Sequence, residues 1–227
     1  METEKIIKKI EEYWDERSTT FDSEHDTEKL DVWKEFLLEI LGTDKRKTVL
    51  DLGTGTGFLA NMTAELGFLS IGVDISEGMM SYGVEHAREK GLNTVFMRGS
   101  ALEQPFMGET VDYIVNARLL WTLVEPEMAV KEWNRVLKPG GKAFSFHRMK
   151  ENVGMTSYNV YSDEPEVNEA LKIDGAKIEE LISLMESNGY EDVKIVKLPE
   201  TAKDETVKAE EWYEPWFVLC GTKPEEK

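Results

Sequence analysis

Thr48-Val-Leu-Asp-Leu-Gly-Thr-Gly-Thr-Gly57 begins as a short apolar strand and breaks into three glycines at alternate positions. A helix-forming run, Phe58–Leu66, follows and is closed by Gly67. In an open α/β sheet, a strand that turns through glycines into a helix is where nucleotide-like ligands bind. The chain on either side keeps the same rhythm. Downstream come a strand at Leu69–Val73 ending on Asp74, a helix at Glu77–Lys90 stopped by Gly91, and strands at Thr94–Arg98 and Val111–Asn116. A helix at Pro126–Leu137 halts at Pro139-Gly140-Gly141. In the next strand, Lys142–His147, Ala143, Ser145 and His147 alternate with Phe144 and Phe146. Strands alternating with helices predict an α/β fold with a parallel sheet and right-handed crossovers.

Both ends of the chain depart from that rhythm. Upstream, Ile6, Ile7, Ile10, Tyr13 and Trp14 recur at helical spacing, which predicts a helix over residues 2–17. A polar stretch, Ser18–Glu28, and a second helix from about Leu30 to Leu41, stopped by Gly42, complete a helical cap over residues 1–42. Residues 43–227 form the main domain. Within it residues 150–173 show no period, and 150–176 is a candidate lid. A helix at Lys177–Asn188 is closed by Gly189. The strands Asp192–Leu198 and Trp216–Thr222 have no helix between them and predict an antiparallel hairpin at the sheet edge. Their linker, Pro199–Pro215, is polar and long for a hairpin, so it is expected to move.

Composition narrows the function. Forty-five acidic against 27 basic residues give a net charge of −18, which repels nucleic-acid phosphates. No apolar run approaches the roughly 20 residues of a membrane span, and the N-terminus lacks a signal-peptide core, so a cytoplasmic location is expected. Cys220 is the single cysteine, and His25, His86 and His147 are scattered, so neither a disulfide nor a metal cluster is expected. Oligomeric state is not legible in the sequence.

The glycine loop has its own chemistry. A dinucleotide fingerprint places its third glycine three residues after the second, and that position is Phe58; a phosphate-binding loop needs a following Gly-Lys-Ser/Thr, which is missing. Asp51 stands just before the first glycine, where it would repel a pyrophosphate and attract a cationic amine. The expected ligand is a nucleoside with positive charge and no phosphates, such as S-adenosylmethionine. Asp74, at the end of the second strand, suits two ribose hydroxyls, although Asp is also a favoured helix N-cap.

Asp51-Leu-Gly-Thr-Gly-Thr-Gly57, Ile71-Gly-Val-Asp74, Val111-Asp-Tyr-Ile-Val115 and Arg135-Val-Leu-Lys-Pro-Gly-Gly141 together resemble the successive motifs of class I S-adenosylmethionine-dependent methyltransferases. The nearest likeness is to the type-11 branch, which is similar to the quinone-biosynthesis enzymes. The resemblance covers about residues 48–147. It implies a Rossmann-like, mostly parallel sheet of seven strands, helices on both faces and an antiparallel last strand. It implies that Gly53, Thr54, Gly55 and Gly57 back the cofactor's methionine and ribose, that Asp51 faces its amino group and that Asp74 holds the ribose. Ile75 and Met79 would pack near the adenine, and Gly99-Ser100-Ala101-Leu102 would take the place of a motif whose acid binds the adenine amine, with Ser100 replacing that acid. Asn116, Ala117 and Arg118 would line the floor under the sulfonium. In the segment Tyr13–Asp22, Arg17 would meet the methionine carboxylate while Trp14 or Phe21 covers the methyl donor.

Methyl transfer needs alignment above all, and a base only where the acceptor carries a proton. His147 and His25 are the candidate bases, and Trp121, Met155, Tyr158 and Tyr161 the candidate acceptor contacts. The leading reading is a methyltransferase for a small-molecule acceptor. The alternatives are a protein or RNA methyltransferase, a non-catalytic S-adenosylmethionine-binding module and, last, a nicotinamide oxidoreductase.

Overall fold

A computed structural model describes residues 2–150, 154–155, 160–161, 163–203 and 214–225, excluding the side chain of His25. The strands are β1 (Thr48–Leu52), β2 (Leu69–Asp74), β3 (Val95–Arg98), β4 (Val111–Ala117), β5 (Leu137–Lys150), β6 (Gly154–Met155), β7 (Glu191–Lys197) and β8 (Trp216–Thr222). The helices are α1 (Glu2–His25), α2 (Leu30–Leu41), α3 (Phe58–Glu65), α4 (Glu77–Glu89), α5 (Pro126–Val136), α6 (Pro165–Ala170) and α7 (Ile178–Ser187). The sheet runs β3-β2-β1-β4-β5-β8-β7, with β6 added to β5. Strands β1 to β5 are parallel, β8 is antiparallel to β5, and β7 and β8 form the antiparallel hairpin. Strand order reverses between β1 and β4, which opens a crevice at their carboxyl ends.

Period-two alternation sorts side chains onto two cores. In β1, Leu50 and Leu52 join one face with Ile6, Ile10, Trp121 and Trp133, while Val49 joins Trp33, Phe146 and Trp216 on the other. Helix α2 puts Trp33, Phe36, Leu37 and Leu41 into that second core, so the N-terminal 42 residues split between two tasks. Helix α1 instead lies over the crevice.

Several boundaries differ from the sequence reading. Helix α1 continues to His25, through the polar stretch expected to end it. The Ser18 and Ser23 hydroxyls donate to carbonyls three residues back, and Phe21 meets Trp14 edge-on at 6.0 Å, so polar residues and one aromatic carry the helix on. Strand β5 starts at Leu137 and takes in Pro139-Gly140-Gly141, because a register irregularity between Val111 and Tyr113 absorbs the extra residues. The segment after β5 contains β6 and α6. Residues 201–203, in the linker expected to move, are bonded to the α1–α2 connection: Lys29 N–H donates to Thr201 and Lys203 N–H to Thr27. Residues 204–213 lie outside the described residues.

Candidate functional site

The glycine loop is held by its two acids. Asp51 is 2% exposed, and its Oδ2 accepts from Thr54 Oγ1 at 2.7 Å and from Ala60 N–H at 2.9 Å. Asp74 accepts from Gly55 N–H and Ser76 N–H, one per oxygen, each at 2.8 Å. The N-cap of α4 is therefore Ser76, whose hydroxyl accepts from Met79 N–H at 3.0 Å, and Asp74 stands two residues before it. Burial pushes the Asp51 carboxyl up to about 7 and the Asp74 carboxyl up to about 6. Two glycines are dictated by geometry. Gly57 caps α3 with φ of 81°, and a Cβ on Gly72 would lie 2.7 Å from Thr54 Oγ1.

Above this loop is a cavity of about 1070 Å³, part of it open to solvent and most of its wall apolar. That is at the upper end of the roughly 300–1,000 Å³ of ligand pockets. Asp51, Gly53, Thr54 and Gly55 form one wall, and Asp74, Ile75 and Met79 the next. Ser100, Ala101 and Leu102 follow β3, and Ser100 Oγ is used locally, accepting from Leu102 N–H at 3.1 Å. Ala117 and Arg118 come from the end of β4, and Trp14 and Phe21 from α1. The sequence reading missed Ile7, Ile10, Thr56, Leu119, Leu123 and Val124. The helical period of Ile7, Ile10, Trp14 and Phe21 was the available signal, since all four fall on one face of a single long helix.

Helix α1 is strapped down by two carboxylates. Asp15 Oδ1 accepts from Ser76 Oγ at 2.6 Å and from Gly78 N–H at 2.9 Å, at the positive end of α4. Asp22 accepts from Thr56 Oγ1 at 2.6 Å and lies 3.3 Å from His86 Nε2, while His86 Nδ1 is 3.3 Å from the Thr56 carbonyl. His86 is thus part of the strap.

Several expected site residues lie elsewhere. Arg17 pairs with Glu24 and does not line the cavity. Gly57 borders a second cleft of about 1050 Å³, which shares Phe21, Thr56, Phe58 and Arg118 with the first. Asn116 is fully buried and accepts from the Ser145 hydroxyl. Ser145 Oγ is 2.7 Å from His147 Nε2, and burial lowers the His147 imidazole to about 3, so it is neutral and enclosed. His147 is 2% exposed and does not line the cavity. Trp121 and Tyr161 pack behind Trp14 in an aromatic cluster, with Trp14–Trp121 and Trp121–Tyr161 centroids each 6.3 Å apart. Met155 is buried beside them in the same core. Tyr158 and the side chain of His25 lie outside the described residues. Among the described residues no group of three His, Cys, Asp or Glu could hold a metal, and no helix is long and apolar enough to cross a membrane.

A Rossmann-like sheet with two buried acids flanking a phosphate-incompetent glycine loop defines a nucleoside-binding α/β protein. The methyltransferase-domain family model matches residues 50–145. The ubiquinone/menaquinone biosynthesis C-methyltransferase UbiE of Klebsiella pneumoniae subsp. pneumoniae is 30% identical over 190 residues, 74% of this chain and 75% of that protein. UbiE of Shewanella woodyi is 32% identical over 139 residues, 58% of this chain and only 55% of that protein's length. Among solved structures, the [4+2]-cyclase SpnF superposes with a TM-score of 0.68 at 20% identity, covering 86% of this chain and 81% of its own. Phosphoethanolamine N-methyltransferase 2 of Haemonchus contortus, in complex with S-adenosylhomocysteine, gives 0.63 at 19% identity, covering 85% of this chain and 52% of its own. The chain belongs to the type-11 branch of the class I S-adenosylmethionine-dependent methyltransferases.

The residues fit that family's cofactor. Two carboxylates are buried beside a mostly apolar cavity, and burial outweighs the hydrogen bonds that each accepts, an arrangement that a cationic nucleoside completes.

Proposed function

We propose that this chain transfers a methyl group from S-adenosylmethionine to a small-molecule acceptor. The observation that carries the reading is the pair Asp51 and Asp74, buried on one cavity wall with both carboxyls raised by desolvation. When bound, the cofactor supplies a methyl carbon already activated by its sulfonium. The protein's own part is to bind and align.

Asp51 Oδ2 is occupied by Thr54 and Ala60, which fixes the carboxylate and leaves Oδ1 for the cofactor's ammonium. Asp74 Oδ2 holds the glycine loop and Oδ1 the start of α4, and the acceptor capacity that remains on the carboxylate serves the ribose hydroxyls. Ile75, Met79, Ala101 and Leu102 offer apolar surface for the adenine. Trp14 and Phe21 close the cavity from above and exclude water, and Trp121, Met155 and Tyr161 stiffen that roof from behind. Preorganisation of this kind supplies roughly 7–11 kcal/mol in intramolecular models. His147 takes no part in this scheme, because it is enclosed and neutral. The charge of −18 supports a small acceptor over a nucleic acid.

Calorimetric titration with S-adenosylmethionine and S-adenosylhomocysteine tests the reading. Micromolar binding of both, followed by turnover in an acceptor screen, is the expected result. Absence of binding to either, with binding of a nicotinamide or adenine nucleotide instead, would overturn it.

A further inference from the structure

We propose that His86 is a positioning residue: as an imidazolium it seats the carboxyl half of α1 over the cavity, so that the roof holds more tightly in acid than in alkali. The proposal rests on the cofactor reading above only for what the roof covers.

Three elements meet in a ring of contacts around Thr56. Asp22, near the end of α1, accepts from Thr56 Oγ1 through Oδ1 at 2.6 Å and turns Oδ2 toward His86 Nε2 at 3.3 Å. His86, on α4, closes the ring with Nδ1 3.3 Å from the Thr56 carbonyl. Phe21, next to Asp22 in the chain, lines both cavities, as does Thr56. The ring therefore ties an aromatic residue of the roof to the glycine loop.

Both nitrogens of His86 face acceptors. A carbonyl oxygen only accepts, so Nδ1 needs a proton to bond it. The neutral ring protonated there presents the Nε2 lone pair to the carboxylate, and the other neutral tautomer presents the Nδ1 lone pair to the carbonyl. Only the imidazolium donates at both ends. Closing the ring thus takes up a proton. The closed form is favoured in acid and weakens as pH rises through the range in which imidazoles lose their charge, about 5 to 8.

The surroundings leave Asp22 as the deciding charge. His86 lies in the last turn of α4, where the negative end of the helix favours a cation, and its neighbour Glu85 is paired with Arg88. The cleft that His86 lines also takes in Asp26 and Glu28 from the α1–α2 connection, Lys34 from α2, Glu65 from α3, Lys90 from α4 and Arg118 from just after β4. Asp26 pairs with Lys203 and Glu28 with Arg148, while Lys34 and Lys90 share Glu65. Arg118 stacks on Trp216. The ring does not touch the ligand, so its protonation acts on the rates of entry and exit and leaves affinity to Asp51 and Asp74.

Amide hydrogen exchange of the ligand-free protein tests the ring at about pH 5.5 and about pH 8, with intrinsic rates corrected and β1 and β4 as reference. The side chains of His86 and Asp22 are 38% and 42% exposed, so a modest effect is expected. Residues 18–25 of wild type should be about threefold better protected at the lower pH, relative to the reference. His86→Gln removes the titrating group, and Asp22→Asn keeps an acceptor for Thr56 Oγ1 without the charge. Each variant should show, at both pH values, the protection of wild type at the higher one. No difference in wild type, a difference shared equally by β1 and β4, or one that survives in either variant would overturn the proposal. Stopped-flow release of S-adenosylhomocysteine gives the positioning readout. His86→Gln should release it about threefold faster than wild type at the lower pH and at the same rate at the higher, a ratio in which the titration of Asp51 and Asp74 cancels. A ratio that does not change with pH would also overturn the proposal. Failure of wild type to bind would overturn the cofactor reading instead, and hydrogen exchange alone would then decide whether the ring seats α1.

Discussion

Asp51 and Asp74 have opposite demands placed on them by the empty and filled cavity. Burial raises both carboxyls above their ordinary value of 3.8, to about 7 and about 6. The folded protein therefore holds protons that the unfolded chain has released, and these two groups subtract stability as pH rises from about 4 to 7. A cationic ligand favours the ionised carboxylates, so its binding expels protons. Affinity for S-adenosylmethionine should rise with pH between about 5 and 7 and flatten above. Titration in buffers of different ionisation enthalpy should show proton release below pH 7; uptake there would contradict the assignment. Asp74→Ala removes both the loop contact and the ribose acceptor, and should weaken binding tenfold or more, about 1.4 kcal/mol, in the same titrations. Both acids were legible from the sequence because each abuts a motif. The surroundings of His147 and His86 were not legible there, since nothing local reveals that His147 is buried against Ser145 or that His86 meets Asp22.

Helix α1 is both a roof and a fastened one. Its cavity-facing residues, Ile7, Ile10, Trp14 and Phe21, face the crevice, and Asp15 and Asp22 tie it to α4 and to the glycine loop. Asp15→Ala deletes the bonds to Ser76 Oγ and Gly78 N–H, a cap-like contribution of about 1 kcal/mol. Amide hydrogen exchange along α1 should then speed up roughly fivefold, while the exchange of β1 and β4 stays as it was. Equal acceleration everywhere would mean that Asp15 supports the whole fold and is no local fastening. The expected stop near residue 17 failed because Ser and Thr lower helix propensity only where their hydroxyls find competing partners. Here those of Ser18 and Ser23 bond back to the helix's own carbonyls.

Two cores lie on the two faces of the sheet, and the one that holds Trp33 and Trp216 encloses a buried polar cluster. Glu28, between α1 and α2, receives the Trp33 and Trp216 indole N–H groups and the Arg148 guanidinium, bringing three distant parts of the chain together. Breaking a buried ion pair on one side leaves an uncompensated charge and costs about 3–5 kcal/mol. Glu28→Gln should therefore lower the melting temperature by on the order of 10 °C. Glu28→Gln combined with Arg148→Met should recover much of that loss in thermal unfolding. If the double variant melts no higher than the single, the charge pair is not the source of the cost.

Local rules were enough for most of the architecture: strands broken by glycine, helices stopped by glycine or proline, and alternating faces in β5 that match the two cores. They also located the glycine loop and its two acids, because a strand–turn–helix unit is a sequence-local object. Folding alone determined which side chains meet in the crevice. Arg118, Trp216 and Glu28 belong to the end of β4, the start of β8 and the connection before α2, and their adjacency follows from strand order. Contacts of that kind depend on loop closure and on packing between distant segments, and no short-range pattern of residue types encodes them.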